Sequence, residues 1–127
     1  MDVDKQVEYW KISAEEDIVA AQSLLEKGHL RHSLFFAHLA IEKVLKGRVV
    51  RSTGKIPPKI HDLVRLAEMG NITVSKEQKD LLLEFGIYQL EGRYPDSQQL
   101  PFDQAFVKKE LARAREIFEW LTAQLRA

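Results

Sequence analysis

Cysteine is missing from this 127-residue chain. Its absence excludes thiol nucleophiles, disulfide staples and thiolate-bound metals, and it fits a reducing compartment. Long apolar runs are missing too: none exceeds a few residues, whereas a bilayer span needs about 20. The opening Met1-Asp2-Val3-Asp4-Lys5 is acidic and polar, unlike a signal peptide. The expectation is a cytoplasmic protein with no membrane segment. Neither sign of charge is in excess, since Lys plus Arg and Asp plus Glu both number 19. No whole-molecule field therefore draws in a polyanion, and a phosphate-bearing ligand needs a local basic cluster. No Gly-rich phosphate loop is present, because Gly54-Lys55 lacks the rest of a P-loop. A zinc-protease motif is absent, and the paired Glu-x-x-His of diiron bundles is reduced to one His38-x-x-x-Glu42. No metal and no cofactor are expected.

At 45% hydrophobic, residues 1–127 read as a single domain that buries roughly two thirds of its unfolded surface. Charges of alternating sign are scattered along it as on solvated helix faces, with no repeat or low-complexity block. Val7, Trp10, Ala14, Ile18, Ala21 and Leu25 recur at three- and four-residue steps, which predicts a helix from about residue 4 to Lys27, ended by Gly28. A second helix runs from about Leu30 to Arg51 with its stripe at Leu34, Ala37, Ile41, Val44 and Leu45. Phe35, Phe36 and Leu39 project from its other sides, so this helix is either central or paired with another subunit.

The run from Ser52 to Ile60 contains Pro57-Pro58 and cannot be helical. A short helix from His61 to Met69 follows, stopped by Gly70. Ser75 and Gln78 have capping-box spacing and open a helix through Leu81, Leu82, Phe85 and Tyr88 to about Glu91. Gly92 suits a left-handed cap and Pro95 cannot continue the ladder. Asp103 can cap a last helix with a seam at Val107, Leu111, Ala114, Phe118, Leu121 and Leu125. No segment keeps a strand period. The fold class is all-α, an up-and-down bundle of four long helices plus one short helix.

Polar residues on otherwise apolar stripes mark the candidate site. Asp17 falls at the edge of the first helix's seam. His38, Glu42 and Lys46 follow at four-residue spacing as one polar strip between apolar flanks, with Lys43 about a quarter turn further round. Two readings stand. Either the strip is a ladder on a wet face, or Glu42 lies inside the bundle held by Arg93 or by a lysine of its own helix, because an unpartnered buried carboxylate costs several kcal/mol. His61 and Asp62 start the short helix, where unspent amides and the dipole favour a phosphate and Lys55 and Lys59 stand nearby; the alternative is a structural cap. Arg93-Tyr94-Pro95-Asp96 is either a corner in which Asp96 accepts backbone amides and Arg93 pairs with Glu42 or Asp17, or a recognition loop. In the latter, Arg93 takes a phosphate and Tyr94 a base or ribose, with Lys43 and Lys46 completing a basic pocket.

Together, Ala14, Asp17 and Ala20, Leu24-Leu25, Gly28-His29, the run Phe36 to Lys46, His61-Asp62-Leu63, Arg93-Tyr94-Pro95-Asp96 and Glu119-Trp120 resemble the HEPN family. The name stands for higher eukaryotes and prokaryotes nucleotide-binding. The likeness covers nearly the entire chain in order. It implies a bundle of four or five helices, commonly a homodimer, in bacteria and archaea often encoded beside a small nucleotidyltransferase, some such pairs resembling toxin–antitoxin systems. Many HEPN proteins are RNases, in which an arginine is followed four to six residues later by histidine. Four to six residues after Arg93 stand Ser97, Gln98 and Gln99, and Leu100 follows. Cleavage through a 2′-hydroxyl needs a group titrating near neutrality and a cation for the phosphorane. Arg93 can supply the charge, but neither glutamine can exchange a proton.

The leading expectation is therefore a HEPN protein without catalytic residues, homodimeric through Phe35, Phe36 and Leu39, partnered by a nucleotidyltransferase. It would bind a nucleotide such as ATP through Glu42, Lys43, Lys46, His61, Asp62, Arg93, Tyr94 and Asp96; RNA is not favoured. The alternatives are a metal-independent RNase with a displaced histidine, His61 being the best placed, and a structural helical adaptor without ligand.

Overall fold

The computed structural model describes residues 1–93 and 102–126, without the side chains of 91–93. Five helices carry the regular structure, and no strand occurs among the described residues: α1 (Val3–Glu26), α2 (Leu30–Thr53), α3 (Leu63–Met69), α4 (Lys76–Arg93) and α5 (Gln104–Gln124). The all-α bundle expected from periodicity is the one observed.

The helix ends follow local chemistry. Asp2 accepts the Lys5 N–H at 3.1 Å. Asp103 accepts the Phe106 N–H at 2.8 Å. Each bond satisfies an amide that has no partner within its helix. Ser75 and Gln78 form the full reciprocal box: the Ser75 N–H donates to Gln78 Oε1 at 2.9 Å and the Gln78 N–H to Ser75 Oγ at 3.1 Å. Gly28 at φ 79° and Gly54 at φ 68° take the left-handed turns after α1 and α2.

Three boundaries differ from the sequence reading. α2 continues two residues past Arg51, to Thr53, because Thr53 Oγ1 bonds back to the Val49 carbonyl at 2.7 Å and Gly54 closes the turn. α3 begins at Leu63, since Asp62 is its cap. α4 runs on through Gly92 to Arg93, because Gly is tolerated in a helix at a modest cost, whereas Pro95 disfavours helix only at the residue before it.

The core is organised by α2, which packs against each of the other four helices. Its residues Leu34, Ala37, Ala40, Ile41, Val44, Leu45 and Val50 are wholly buried, so a helix apolar on several sides stands at the centre of the bundle. α1 and α5 touch each other on one side of it, and α3 and α4 on the other. Small residues let α1 and α2 approach closely. Ala14, Ala21, Ala37 and Ala40 are fully buried, and Ser33 Oγ donates to the Ala21 carbonyl at 2.7 Å. A Cβ at Gly47 would stand 3.3 Å from both Leu125 Cδ2 and Trp10 Cβ, where α1, α2 and the end of α5 converge. Arg48 ties two helix ends, donating to the Gly70 carbonyl at 2.8 Å and the Gln124 carbonyl at 3.1 Å, as cations near helix C-termini do.

Phe35, Phe36 and Leu39 are half-buried, with Phe36 packed against the core. The more open apolar stripe is on α4, where Leu83, Ile87 and Leu90 remain 55%, 48% and 49% exposed. No helix among the described residues is long and apolar enough to cross a membrane.

Candidate functional site

His38, Glu42 and Lys46 are all buried, so the wet-face ladder is not what forms. A carboxylate in that position must be fully engaged, and Glu42 divides its oxygens between two partners. Lys46 Nζ donates to Oε2 at 3.1 Å from one turn along α2. His61 Nδ1 stands 3.0 Å from Oε1, brought there from the connection between α2 and α3. Because a carboxylate only accepts, Nδ1 carries the hydrogen, which leaves Nε2 as the imidazole's other polar atom. The His61 side chain is 43% exposed while that of Glu42 is 6% exposed, so the pair spans the boundary between core and solvent.

His38 reinforces the arrangement. Its Nε2 lies 3.4 Å from the His61 carbonyl and its Nδ1 3.9 Å from Glu42 Oε1, so α2 holds both the backbone and the ring of His61. Buried Pro57 anchors the same connection, and Lys55 and Lys59 are exposed on it. Behind the carboxylate, Lys46 Nζ lies 5.8 Å from the centre of the Trp10 ring. This cation–π contact helps offset the cost of burying the ammonium.

The other expected site residues are placed differently. Lys43 turns to α1, where Nζ lies 2.7 Å from Asp17 Oδ2 and donates to Ser13 Oγ at 2.8 Å; this pins Asp17 at the seam edge, as anticipated, but takes Lys43 away from His61. Asp62 accepts the Arg65 N–H at 3.1 Å, so a carboxylate already occupies the start of α3. The unspent amides expected beside His61 are thereby reduced, and the cap is Asp62 rather than His61, whose ring is on Glu42. The Arg93 side chain, Tyr94 and Asp96 lie outside the described residues.

A second polar cluster joins α4 to α5. Arg113 Nη1 reaches Glu84 Oε2 at 3.1 Å and Glu110 at 2.9 and 3.2 Å, while the Tyr88 hydroxyl donates to Glu84 Oε1 at 3.4 Å. Burial, then the Glu84 charge, raises the Glu110 carboxyl above the ordinary carboxylate value. Burial and the charges of Glu110 and Glu84 likewise push the Tyr88 phenol up. Burial opposes the Arg113 charge, but its bond to Glu84 and the two glutamate charges outweigh that and raise its value. The sequence carries one signal of this cluster: Glu110 sits three residues after Val107 and beside Leu111, on the flank of the apolar seam. Among the described residues, no group of three or more His, Asp or Glu side chains is placed to hold a metal ion.

The chain's similarities to known proteins agree with this architecture. The family model of the HEPN domain matches residues 7–124. The crystal structure of TT1696 from Thermus thermophilus superposes with a TM-score of 0.81 at 20% identity, covering 94% of this chain and 98% of that one. The structure of ST0689, an archaeal HEPN homologue, superposes with a TM-score of 0.66 at 21% identity over the same shares. No curated protein matches the sequence.

Proposed function

The chain belongs to the HEPN domain family, and on that premise we propose that it is a nucleotide-binding HEPN protein that works with a small nucleotidyltransferase in a two-gene, toxin–antitoxin-like system and cuts no RNA itself. The observation that carries the binding reading is the His61–Glu42 pair. A buried carboxylate fixes the imidazole at the surface with Nε2 as the ring's acceptor, suited to a hydroxyl or amino hydrogen of a nucleotide, while the Lys55 and Lys59 ammonium groups on the same connection supply donors for its phosphates. Glu42 and Lys46 offset each other and act as its support. A homodimer belongs to this reading. The α4 stripe of Leu83, Ile87 and Leu90 adds to the half-buried Phe35, Phe36 and Leu39 as the apolar surface for a two-fold contact.

Thermal melting with ATP and other nucleotides tests the binding step, since a ligand of the folded state must raise the midpoint. A rise that is lost in His61→Ala and Arg93→Ala is expected; no rise with the wild type at millimolar nucleotide sinks direct binding. Co-expression with a nucleotidyltransferase encoded next to this chain tests the partnership, and separate elution of the two proteins counts against it. Light scattering of the purified protein reads the dimer.

One observation favours a second reading. A half-exposed histidine oriented by a buried glutamate is also the arrangement of a general base, as a metal-independent RNase with a displaced histidine requires. RNA degradation in EDTA that disappears in both His61→Ala and Arg93→Ala would establish it. Degradation that survives both substitutions removes it.

A further inference from the structure

Between α4 and α5 lies an open groove of about 510 Å³ with an apolar floor of Leu81 and Ile117 and a wall formed by Trp120. Its polar groups are unevenly committed. Ser75 and Gln78 satisfy each other in the capping box. Arg113, the groove's cation, is held by two carboxylates, Glu84 and Glu110, which exceed its charge by one. Glu77 on the α4 side and Glu116 on the α5 side are exposed and make no ion pair among the described residues. The formal charges of these five side chains, four carboxylates and one guanidinium, sum to −3.

We propose that this groove receives a polypeptide segment of a partner protein, one that places an apolar side chain against Leu81, Ile117 and Trp120 and Lys or Arg side chains beside Glu77 and Glu116. Charge selects this occupant. A phosphate backbone meets repulsion from Glu77 and Glu116, whereas a basic side chain gains from both and from the Trp120 face. The apolar floor supplies what a bare cation could not use, since hydrophobic burial needs carbon surface on both sides. The inference rests on the partner reading above and assigns it a surface, distinct from the His61 region.

The probe is a synthetic amphipathic peptide of Leu, Lys and Ala, with a control in which every Lys is Glu. Trp120 fluorescence in a Trp10→Phe background reports occupancy. Saturable binding of the basic peptide alone is expected, weakened about tenfold or more by Glu77→Lys/Glu116→Lys and less by the milder Glu77→Gln/Glu116→Gln. Both pairs alter exposed positions, and melting curves confirm that the variants fold. Absence of saturable binding, equal binding of the acidic control, or insensitivity to both double substitutions overturns the proposal. So does spermine that shifts Trp120 emission as strongly as the peptide, which makes the groove a site for small polycations. A nucleotidyltransferase that co-purifies undiminished with the charge-reversed variant overturns this surface and leaves the partnership standing.

Discussion

Glu42 and His61 are 19 residues apart in sequence, and their side chains meet at 3.0 Å between Oε1 and Nδ1. The contact links the buried middle of α2 to the connection that follows it. Lys46 holds the other carboxylate oxygen at 3.1 Å. Lys46 and Glu42 are both buried and His61 alone of the three reaches solvent, so the carboxylate joins a buried ammonium to a half-exposed ring.

Replacing Glu42 by Leu leaves the Lys46 ammonium buried without its counter-charge, and is expected to cost about 3 kcal/mol. The double substitution Glu42→Leu/Lys46→Met removes both charges and should recover most of that loss. Urea unfolding of the wild type, both single variants and the double variant closes the cycle. Additive losses would show that the pair is not energetically coupled.

His61→Ala is expected to lower stability by about 1 kcal/mol or less, because the ring is half-exposed and its bond is partly replaced by water. Its larger effect should be local. Limited proteolysis between Gly54 and Ile60 should accelerate, since the ring no longer holds the connection to Glu42. Unchanged cleavage would mean that buried Pro57 and the His38 contact hold the segment alone.

Glu110 gives a pH signature. Its folded-state value is raised from 4.5 by burial and by Glu84, against the opposing pull of Arg113. The folded protein therefore keeps the Glu110 proton to higher pH than the unfolded chain does, and this group's favourable contribution is complete below the ordinary value and lost as pH rises through the raised one. Glu110→Gln cannot ionise, so its melting temperature should improve relative to wild type as pH rises from about 4.5 through that window. A constant difference across the range would contradict the assignment.

Gly70 and Asn71 end the turn after α3 in contrasting ways. A Cβ at Gly70 would lie 2.8 Å from Arg48 Cγ and 3.3 Å from the Leu66 carbonyl oxygen. Gly70→Ala should therefore displace the Arg48 link between α3 and α5. Such crowding is expected to cost about 2 kcal/mol. Asn71 adopts φ 56°, a region that glycine enters without strain. Its amide donates to Ser52 Oγ at 3.2 Å. Asn71→Gly relieves the first and loses the second, leaving stability within about 0.5 kcal/mol of wild type in thermal melts.

What can be read from the sequence is local. The caps at Ser75 and Asp103 and the stripe of α1 follow from spacings of three and four residues, and the helices form there. The strip His38–Glu42–Lys46 is visible by the same period, but that period leaves open whether it faces water or the bundle, and only the packing around α2 buries it. Contacts between elements are not legible, because periodicity says which face is apolar and nothing about what meets it. Lys43 finding Asp17, and His61 finding Glu42, depend on how α1 and the α2–α3 connection dock on α2. The Glu84–Arg113 bridge is hidden for another reason. Glu110 and Arg113, three apart, look like a solvated helix pair until α4 covers one of them.

The position of α2 as a wall shared by two helix pairs has a consequence for how the molecule opens. Each pair can loosen against α2 while the other keeps its support. The bundle is thus arranged as two helix pairs on one spine, joined to each other by Arg113 and Glu84. The segment carrying His61 belongs to the α3–α4 pair and is latched to the spine at Glu42. A ligand seated on His61 would tighten that latch, so its arrival should register first in the amide protection of one pair.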